Sequence, residues 1–428
     1  MPAKILDNTS AEERLIWYGL VLTYPAYVLG ATYIVGSLLG WLIVAVFVLR
    51  CFVEGKPKSQ AVSSLLCLWI VGMLVMELAL IYGHLNFNLS GGQLIKSTIG
   101  WAKGWALLAL FIVLGALMPL KTNLIPRACC ILGLHSLLFF VVSLLVFLVG
   151  LSGEVYVSPL KVVGGPGPAF FEFKFFGINP ETGWPRWQYF APWSPAIGLQ
   201  SCLLMILCLK EKNTGWKVVG ISGALIMCLS SQSRAGWVIF VFILPLTLVL
   251  SNLHNVKLLF ASAIGFAVVA LPGLVLIEWV LDLYQQIKES RPDSTRVRKA
   301  LATLALQRWE HEAPVWGHGI VENGPKYVER MPIGTHHSWY GLLFVKGAVG
   351  AVALALPLLI TTLFLLLQAQ QSKNAQTALA LILILFIYSF FENLEILSYL
   401  YWPALLWIGA SLKVEAEHCV KPNRQVNL

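Results

Sequence analysis

Apolar stretches of helix-spanning length follow one another along almost the whole chain. A transmembrane helix needs about 20 predominantly apolar residues. The first run, 15–49, is too long for one helix, and Gly30 and Gly36 predict a hairpin of two. Further runs cover 60–83, 98–120, 126–151, 193–209, 217–230, 236–252, 257–281, 338–368, 377–391 and 397–412. The pattern predicts about twelve transmembrane helices. In lipid the backbone must satisfy its own hydrogen bonds, so continuous runs of this length become helices. A transmembrane barrel would instead show short alternating strands. The expectation is an all-α polytopic membrane protein, a single integral membrane domain over 1–428.

Composition points the same way. Of 428 residues, 58% are hydrophobic and 12% charged, against about 45–50% and about 25% in soluble domains. Too few charges are present to cover a water-facing surface. A soluble enzyme, a secreted disulfide scaffold and a disordered chain are excluded. The net charge of +9 is not gathered into the basic patch of a soluble domain that nucleic acid would need. The eight cysteines lie in apolar runs, at their edges or in the tail. None forms a CxxC pair or a Cys/His metal spacing, so they read as buried small apolar residues. The first 14 residues are polar and a long apolar run follows, so no cleavable signal peptide is expected.

About twelve spans put both termini on one side. Arg50, Lys56, Lys58, Lys121, Arg127, Lys210, Lys212, Lys217, Lys257, Lys373, Lys413, Lys421 and Arg424 fall on that side. The positive-inside rule makes it cytoplasmic. The two longest loops, 152–192 and 282–337, then fall outside the cytoplasm. Both carry cations: Lys161, Lys174 and Arg186 in the first, and Lys288, Arg291, Arg296, Arg298, Lys299, Arg308, Lys326 and Arg330 in the second. Long loops cross the membrane despite such charge. Their Pro, Gly and aromatic content (PGPAFFEFKFF, ETGWPRWQYFAPW) predicts ordered packing on a membrane surface rather than a linker.

Four segments can carry chemistry. In Ser230-Ser231-Gln232-Ser233-Arg234-Ala235-Gly236-Trp237, Ser233 is a good N-cap. Arg234 would then sit in the first turn, where the helix dipole disfavours a cation. An anion would compensate; otherwise the arginine snorkels to lipid phosphate or pairs with a loop carboxylate. In Pro292-Asp293-Ser294-Thr295-Arg296-Val297-Arg298-Lys299-Ala300, Asp293 or Ser294 can cap a helix. Val297, Leu301 and Leu304 form its apolar stripe, and Arg296, Lys299, Thr303 and Gln307 another face. Its cations form either a diphosphate clamp or a surface lying on anionic headgroups.

The third segment is Gly334-Thr335-His336-His337-Ser338-Trp339-Tyr340. A histidine there can be a general base or hold a substrate hydroxyl or phosphate; the alternative is an interfacial pair among aromatic residues. His311, His318, His336 and His337 lack metal-ligand spacing and an accompanying carboxylate cluster. The fourth, Glu392-Asn393-Leu394-Glu395, reads first as a short solvated turn. Its carboxylates can also pair with the arginines or act as a base. The topology places Arg186, Arg234, Arg296, Arg298, His336 and Glu392 on one face. A transporter more often holds ionisable groups near the bilayer midplane. A site at the outer interface suits a substrate with its lipid tail in the membrane and its polar head outside.

At these residues the chain resembles the O-antigen ligase and Wzy-type polysaccharide polymerase superfamily, over roughly 180–350. SQSRAGW matches the family's Ser-Arg-Gly motif at a span end and places the family arginine on Arg234. A large loop follows, with an arginine-bearing helix and a Pro-x-x-Gly-x-Gly turn; Arg296 to Gly319 match, through EAPVWGHGI. The family's His-Asn precedes a span with Gly-x-x-Gly. Counting back from Gly347 and Gly350 lands on His336, with His337 where Asn is usual, so either histidine can carry the role. PRWQYFAPWSPAIG matches an earlier arginine motif at Arg186, without its Asn.

The resemblance implies a GT-C-like helical bundle and a metal-independent inverting glycosyl transfer without a cofactor. The donor is a glycan on undecaprenyl diphosphate. A hydroxyl of an acceptor attacks the anomeric carbon and the lipid diphosphate leaves. His336, Arg234 and Arg296 are the expected catalytic residues. Arg186, Arg298, Lys299, His337 and Glu392 are expected to bind diphosphate or glycan. The leading expectation is a polymerase of exopolysaccharide, capsule or O-antigen repeat units. A ligase moving glycan to lipid A-core or protein is the first alternative, and a flippase or other transporter of lipid-linked glycan the second. Expected partners are the lipid-linked donor, a glycan or lipid A-core acceptor, membrane lipid, a flippase and a chain-length regulator, but no nucleic acid.

Overall fold

Polar side chains punctuate the apolar runs and set where helices begin. Ser10 and Glu13 form a reciprocal capping box, and Ser90 and Gln93 another. Ser63, Asn213, Ser233 and Ser372 each accept one N–H of a first turn. A side-chain oxygen here satisfies a backbone donor that the helix cannot pair itself. The computed structural model describes residues 9–53, 63–179, 183–265, 267, 292–334 and 336–412.

The helices before the first long loop are α1 (Ala11–Val21), α2 (Thr23–Val28), α3 (Thr32–Val53), α4 (Ser64–Asn86), α5 (Gly91–Lys103), α6 (Trp105–Leu117) and α7 (Leu124–Leu148). After it come α8 (Ser194–Cys208), α9 (Thr214–Ser230), α10 (Arg234–Leu250) and α11 (Val256–Gly265). Then follow α12 (Pro292–Glu312), α13 (Ser338–Gln368), α14 (Lys373–Tyr388) and α15 (Leu394–Leu412). Among the described residues, five stretches are long and apolar enough to cross a membrane: α3, α4, α5 with α6, α7 and α13. Shorter apolar helices include α8, α9, α10, α11 and α14. The fold is a polytopic helical membrane protein.

Several boundaries differ from expectation. The first hairpin turns at Gly30, whose φ is +63°. Gly36 instead lies inside α3, where the backbone of Tyr399 approaches too closely for a side chain. The run at 98–120 is two helices, broken at Gly104. The run at 257–281 is described only at its start. The remainder of it, the first part of 282–337, and Lys56, Lys58, Lys288, Arg291, Lys413, Cys419, Lys421 and Arg424 lie outside the described residues. The expected caps Asp293 and Ser294 fall within α12, which starts at Pro292. Cys67 is exposed on α4 and Cys51 half-buried, whereas Cys129, Cys130, Cys202, Cys208 and Cys228 are buried. An outward thiol on a lipid-facing helix surface has apolar neighbours without being covered by protein.

The turns sort to opposite ends of the bundle. At one end Arg50 pairs with Glu12 at 3.0 Å, Arg127 with Glu211 at 2.8 Å, and Lys210 donates to the Lys373 carbonyl at 2.9 Å. These are among the cations expected on one side of the membrane. At the other end lies the 152–192 segment, and it departs from an all-helical reading. It holds two antiparallel ribbons: β1 (Glu154–Val157) with β2 (Glu172–Lys174), and β3 (Gly177–Ile178) with β4 (Pro185–Arg186). Phe170, Phe171, Phe173, Phe176, Trp187 and Tyr189 are buried in the main core with Tyr24 and Tyr27. Aromatic burial of this size anchors the loop on the helix ends.

One long helix is broken. Gly347 in α13 has φ +63° and ψ −165°, far from helical. The freed groups are taken by the 313–319 segment. Ala348 and Val349 N–H donate to the carbonyls of Pro314 and Val315, at 3.0 and 3.2 Å. His318 and Gly319 N–H donate to the carbonyls of Phe344 and Val345, at 2.9 and 2.8 Å. Gly317 and Gly319 both have positive φ, and a side chain at Gly317 would collide with the backbone of 345–347. An interruption in an apolar helix is tolerated where protein re-pairs the backbone. The Pro-x-x-Gly-x-Gly and Gly-x-x-Gly motifs are therefore two sides of one joint.

Candidate active site

The first wall is the turn between α9 and α10. Ser233 caps α10 by accepting from Gly236 N at 3.2 Å, and Arg234 opens the helix as an exposed residue. The 152–192 segment is bolted to this turn. Arg186 Nε donates to the Ser231 carbonyl at 2.9 Å, and Gln232 Nε2 to the Pro185 carbonyl at 3.1 Å. Trp187 N–H donates to the Ser230 carbonyl at 3.3 Å, and the Tyr189 and Ser230 hydroxyls lie 2.7 Å apart. Gln232 and Tyr189 have φ of +52° and +50°. Such strained backbone persists only where its surroundings hold it, and it collects at functional sites.

The opposite wall is α12 with the start of α13. Val297 and Leu301 bury against Val328, and Ala305 with Leu304 against Ile333, Phe344 and Val345. The expected apolar stripe thus docks α12 onto the joint described above. Arg308 pairs with Glu312 at 2.8 Å and Glu322 at 2.6 Å, and His318 Nε2 meets Glu312 at 2.8 Å. The Arg308 hydrogen bonds, then the contact with His318, hold the Glu312 carboxyl down at about 2. Arg296, Lys299, Thr303 and Gln307 are exposed together. Arg298 is also exposed but, two positions on, leaves α12 on a different flank from Arg296.

Between the walls lies the turn from α14 to α15. Glu392 is not the solvated residue that its short turn suggests: it is 1% exposed. Trp193 Nε1 donates to its Oε2 at 2.8 Å. Ser338 Oγ donates to its backbone carbonyl at 2.7 Å and accepts from Leu394 N at 2.9 Å. Burial pushes the carboxyl up to about 7, against the opposing pull of Arg298, the Trp193 hydrogen bond and Arg186. Desolvation outweighs attraction here, as it does when cations stand near a carboxylate without pairing with it.

The adjacent histidines have different surroundings. His337 caps α13: its Nδ1 accepts from Tyr340 N at 3.3 Å, and its ring stacks on Tyr340 at 3.8 Å. His336 has φ +65° and is only partly exposed. Burial, then the charge of Arg298, lower its pKa to about 4. Burial alone lowers His337 to about 4. Both rings are neutral near pH 7.

Arg186, Arg298, His336 and Glu392 are therefore brought into one electrostatic neighbourhood, with Arg234 on the turn that Arg186 clasps. Of the α12 guanidiniums it is Arg298 whose charge acts on both His336 and Glu392. Trp193 was not anticipated; an indole immediately before a helix start, with a polar tip to satisfy, was the available signal. Lys346 was also missed. It is 2% exposed inside α13, and its charge acts on Glu77 of α4 and Glu395 of α15. A lone lysine in a long apolar run marks such a place. Glu395, three residues from Glu392, thus faces a different charge environment.

Residues 219–355 match the family model described as O-Antigen ligase. The match runs from α9 through the α9–α10 turn, α10 and α12 into α13. It contains Arg234, Arg296, Arg298, Lys299, His336 and His337, while Arg186 and Glu392 lie outside it. No curated protein matches the chain. The molecule is a helical membrane protein, and its site-bearing region, residues 219–355, is similar to the O-antigen ligase family.

Proposed function

We propose that the protein is a metal-independent, inverting glycosyltransferase of the bacterial inner membrane, acting at the periplasmic face with both termini in the cytoplasm. It joins repeat units carried on undecaprenyl diphosphate into exopolysaccharide, capsule or O-antigen. The observation that carries this reading is that the charge of Arg298 on α12 acts on both His336 and Glu392, while Arg186 of β4, hydrogen-bonded to the α9–α10 turn, acts on Glu392. Guanidinium groups suit a developing diphosphate because they are planar and always charged. Arg186, Arg234 and Arg298 hold the leaving phosphates, supported by the positive end of α10. Arg296 and Lys299, on the exposed side of α12, attract the anionic headgroup. Neutral His336 hydrogen-bonds a substrate hydroxyl or phosphate, while His337 shapes the start of α13.

Purified protein in lipid nanodiscs, given lipid-linked repeat units without nucleotide and with EDTA, should release undecaprenyl diphosphate and lengthen the glycan. Movement of donor across a vesicle bilayer with no such product would favour a flippase and overturn the enzyme reading. The ligase reading shares the donor and is separated in a deletion strain. Single repeat units on lipid A-core support the polymerase. Long chains held on undecaprenyl diphosphate support transfer to lipid A-core or protein.

A further inference from the structure

We propose that Glu392 is the general base of the transfer, with its Oε1 receiving the proton of the acceptor hydroxyl. The inference rests on the glycosyl-transfer reading and goes beyond it by assigning the proton. Glu392 is held from three directions. Its N–H donates to the Tyr388 carbonyl at 2.8 Å, its carbonyl accepts from Ser338 Oγ at 2.7 Å, and Oε2 accepts from Trp193 Nε1 at 2.8 Å. Oε1, although buried, has no hydrogen-bond partner among the described residues. A buried carboxylate oxygen without a donor is costly to keep, and such atoms call for a ligand that completes them. The acceptor hydroxyl supplies the missing donor.

The neighbouring groups are less suited to the task. His337 has one ring nitrogen engaged by the Tyr340 N–H, and its ring lies between Tyr340 and Phe390. His336 would become a cation next to Arg298 on taking a proton. Glu392 becomes neutral in the same surroundings, so the proton removes a buried charge instead of adding one. Burial also gives this carboxyl a basicity near neutrality, about 7, against about 4 for either histidine. An effective base has its pKa near the working pH.

The step balances without a further reactant. The acceptor O–H proton passes to Glu392 Oε1, and the acceptor oxygen forms the new bond to the anomeric carbon. The bond from that carbon to the phosphate oxygen breaks, and its electron pair leaves on undecaprenyl diphosphate. Trp193, through Oε2, is a positioning residue.

Glu392→Gln keeps the volume of the side chain and an acceptor for Trp193. It should lower kcat at least about 100-fold, the usual reach of a general base, while the variant still binds radiolabelled lipid-linked donor. The wild type's rise in kcat through about pH 7 should be absent in the variant. Azide has no proton to lose and needs no base. Added to Glu392→Ala, it should therefore restore release of undecaprenyl diphosphate and form a glycosyl azide. Activity of Glu392→Gln within about tenfold of wild type, well short of a general base's usual reach, would overturn the assignment. So would a donor-binding Glu392→Ala protein that azide does not rescue. If wild type itself transfers no sugar from the same donor, the glycosyl-transfer reading is what fails.

Discussion

Replacing Glu392 by glutamine should stabilise the protein more at pH 8 than at pH 5. The folded carboxyl titrates at about 7 rather than the ordinary 4.5, because burial opposes its charge. For an acid raised on folding, the contribution to stability is complete below the unfolded pKa and is lost as pH rises through the folded one. Linkage with these two values gives a cost of about 1 kcal/mol at pH 5 and about 3 kcal/mol at pH 8. Glutamine carries no charge at either pH. The variant's advantage over wild type should then grow by about 2 kcal/mol between the two. His336 and His337, depressed to about 4, act with the opposite slope: their contribution is present above the unfolded pKa and is lost as pH falls through the folded one. Both proteins carry them, so they cancel in the difference. Thermal unfolding of the two proteins in one detergent, without donor, measures it. An advantage that is the same at both pH values, or that shrinks as pH rises, would refute the argument from burial.

Other perturbations separate the roles of neighbouring groups. Arg298→Ala should weaken use of the lipid-linked donor by about 10–100-fold in kcat/KM, as expected for charged hydrogen bonds. Arg296→Ala should cost less, since that side chain leaves the opposite flank of α12; steady-state kinetics in nanodiscs compare them. Arg234→Ala should abolish product while protease accessibility reports normal membrane insertion. His336→Ala should lower turnover more than His337→Ala, whereas His337→Ala should lower the unfolding temperature more; reversed orders would exchange their roles. Gly317→Ala meets both a positive φ of +69° and the backbone of α13. It should undock the 313–319 segment, seen as new protease cleavage there and loss of activity.

Much of this architecture is legible from local pattern. The cap at Ser233, the placement of Arg234 and the stripe of Val297, Leu301 and Leu304 follow from spacing within a few residues, and they are found as expected. What escapes the sequence depends on distant partners. Glu392 sits in a short polar turn, and partners far away along the chain, Trp193 and Ser338, hold it as a buried group. The break at Gly347 is hidden because the run around it is uniformly apolar, and the loop that repairs it comes from some thirty residues upstream. The two ribbons in 152–192 are too short and aromatic for strand alternation to register. Arg296 and Arg298 are equivalent as letters, but helical geometry gives them different neighbours.

The joint at Gly347 has a mechanical consequence. Because the span and the 313–319 segment share backbone bonds, the arginine helix cannot swing away while the span stays whole. The segment clasped by Arg186 is fastened as well, through the Ser230 and Ser231 carbonyls and its own buried aromatic rings, so both walls of the site keep their places at the helix ends.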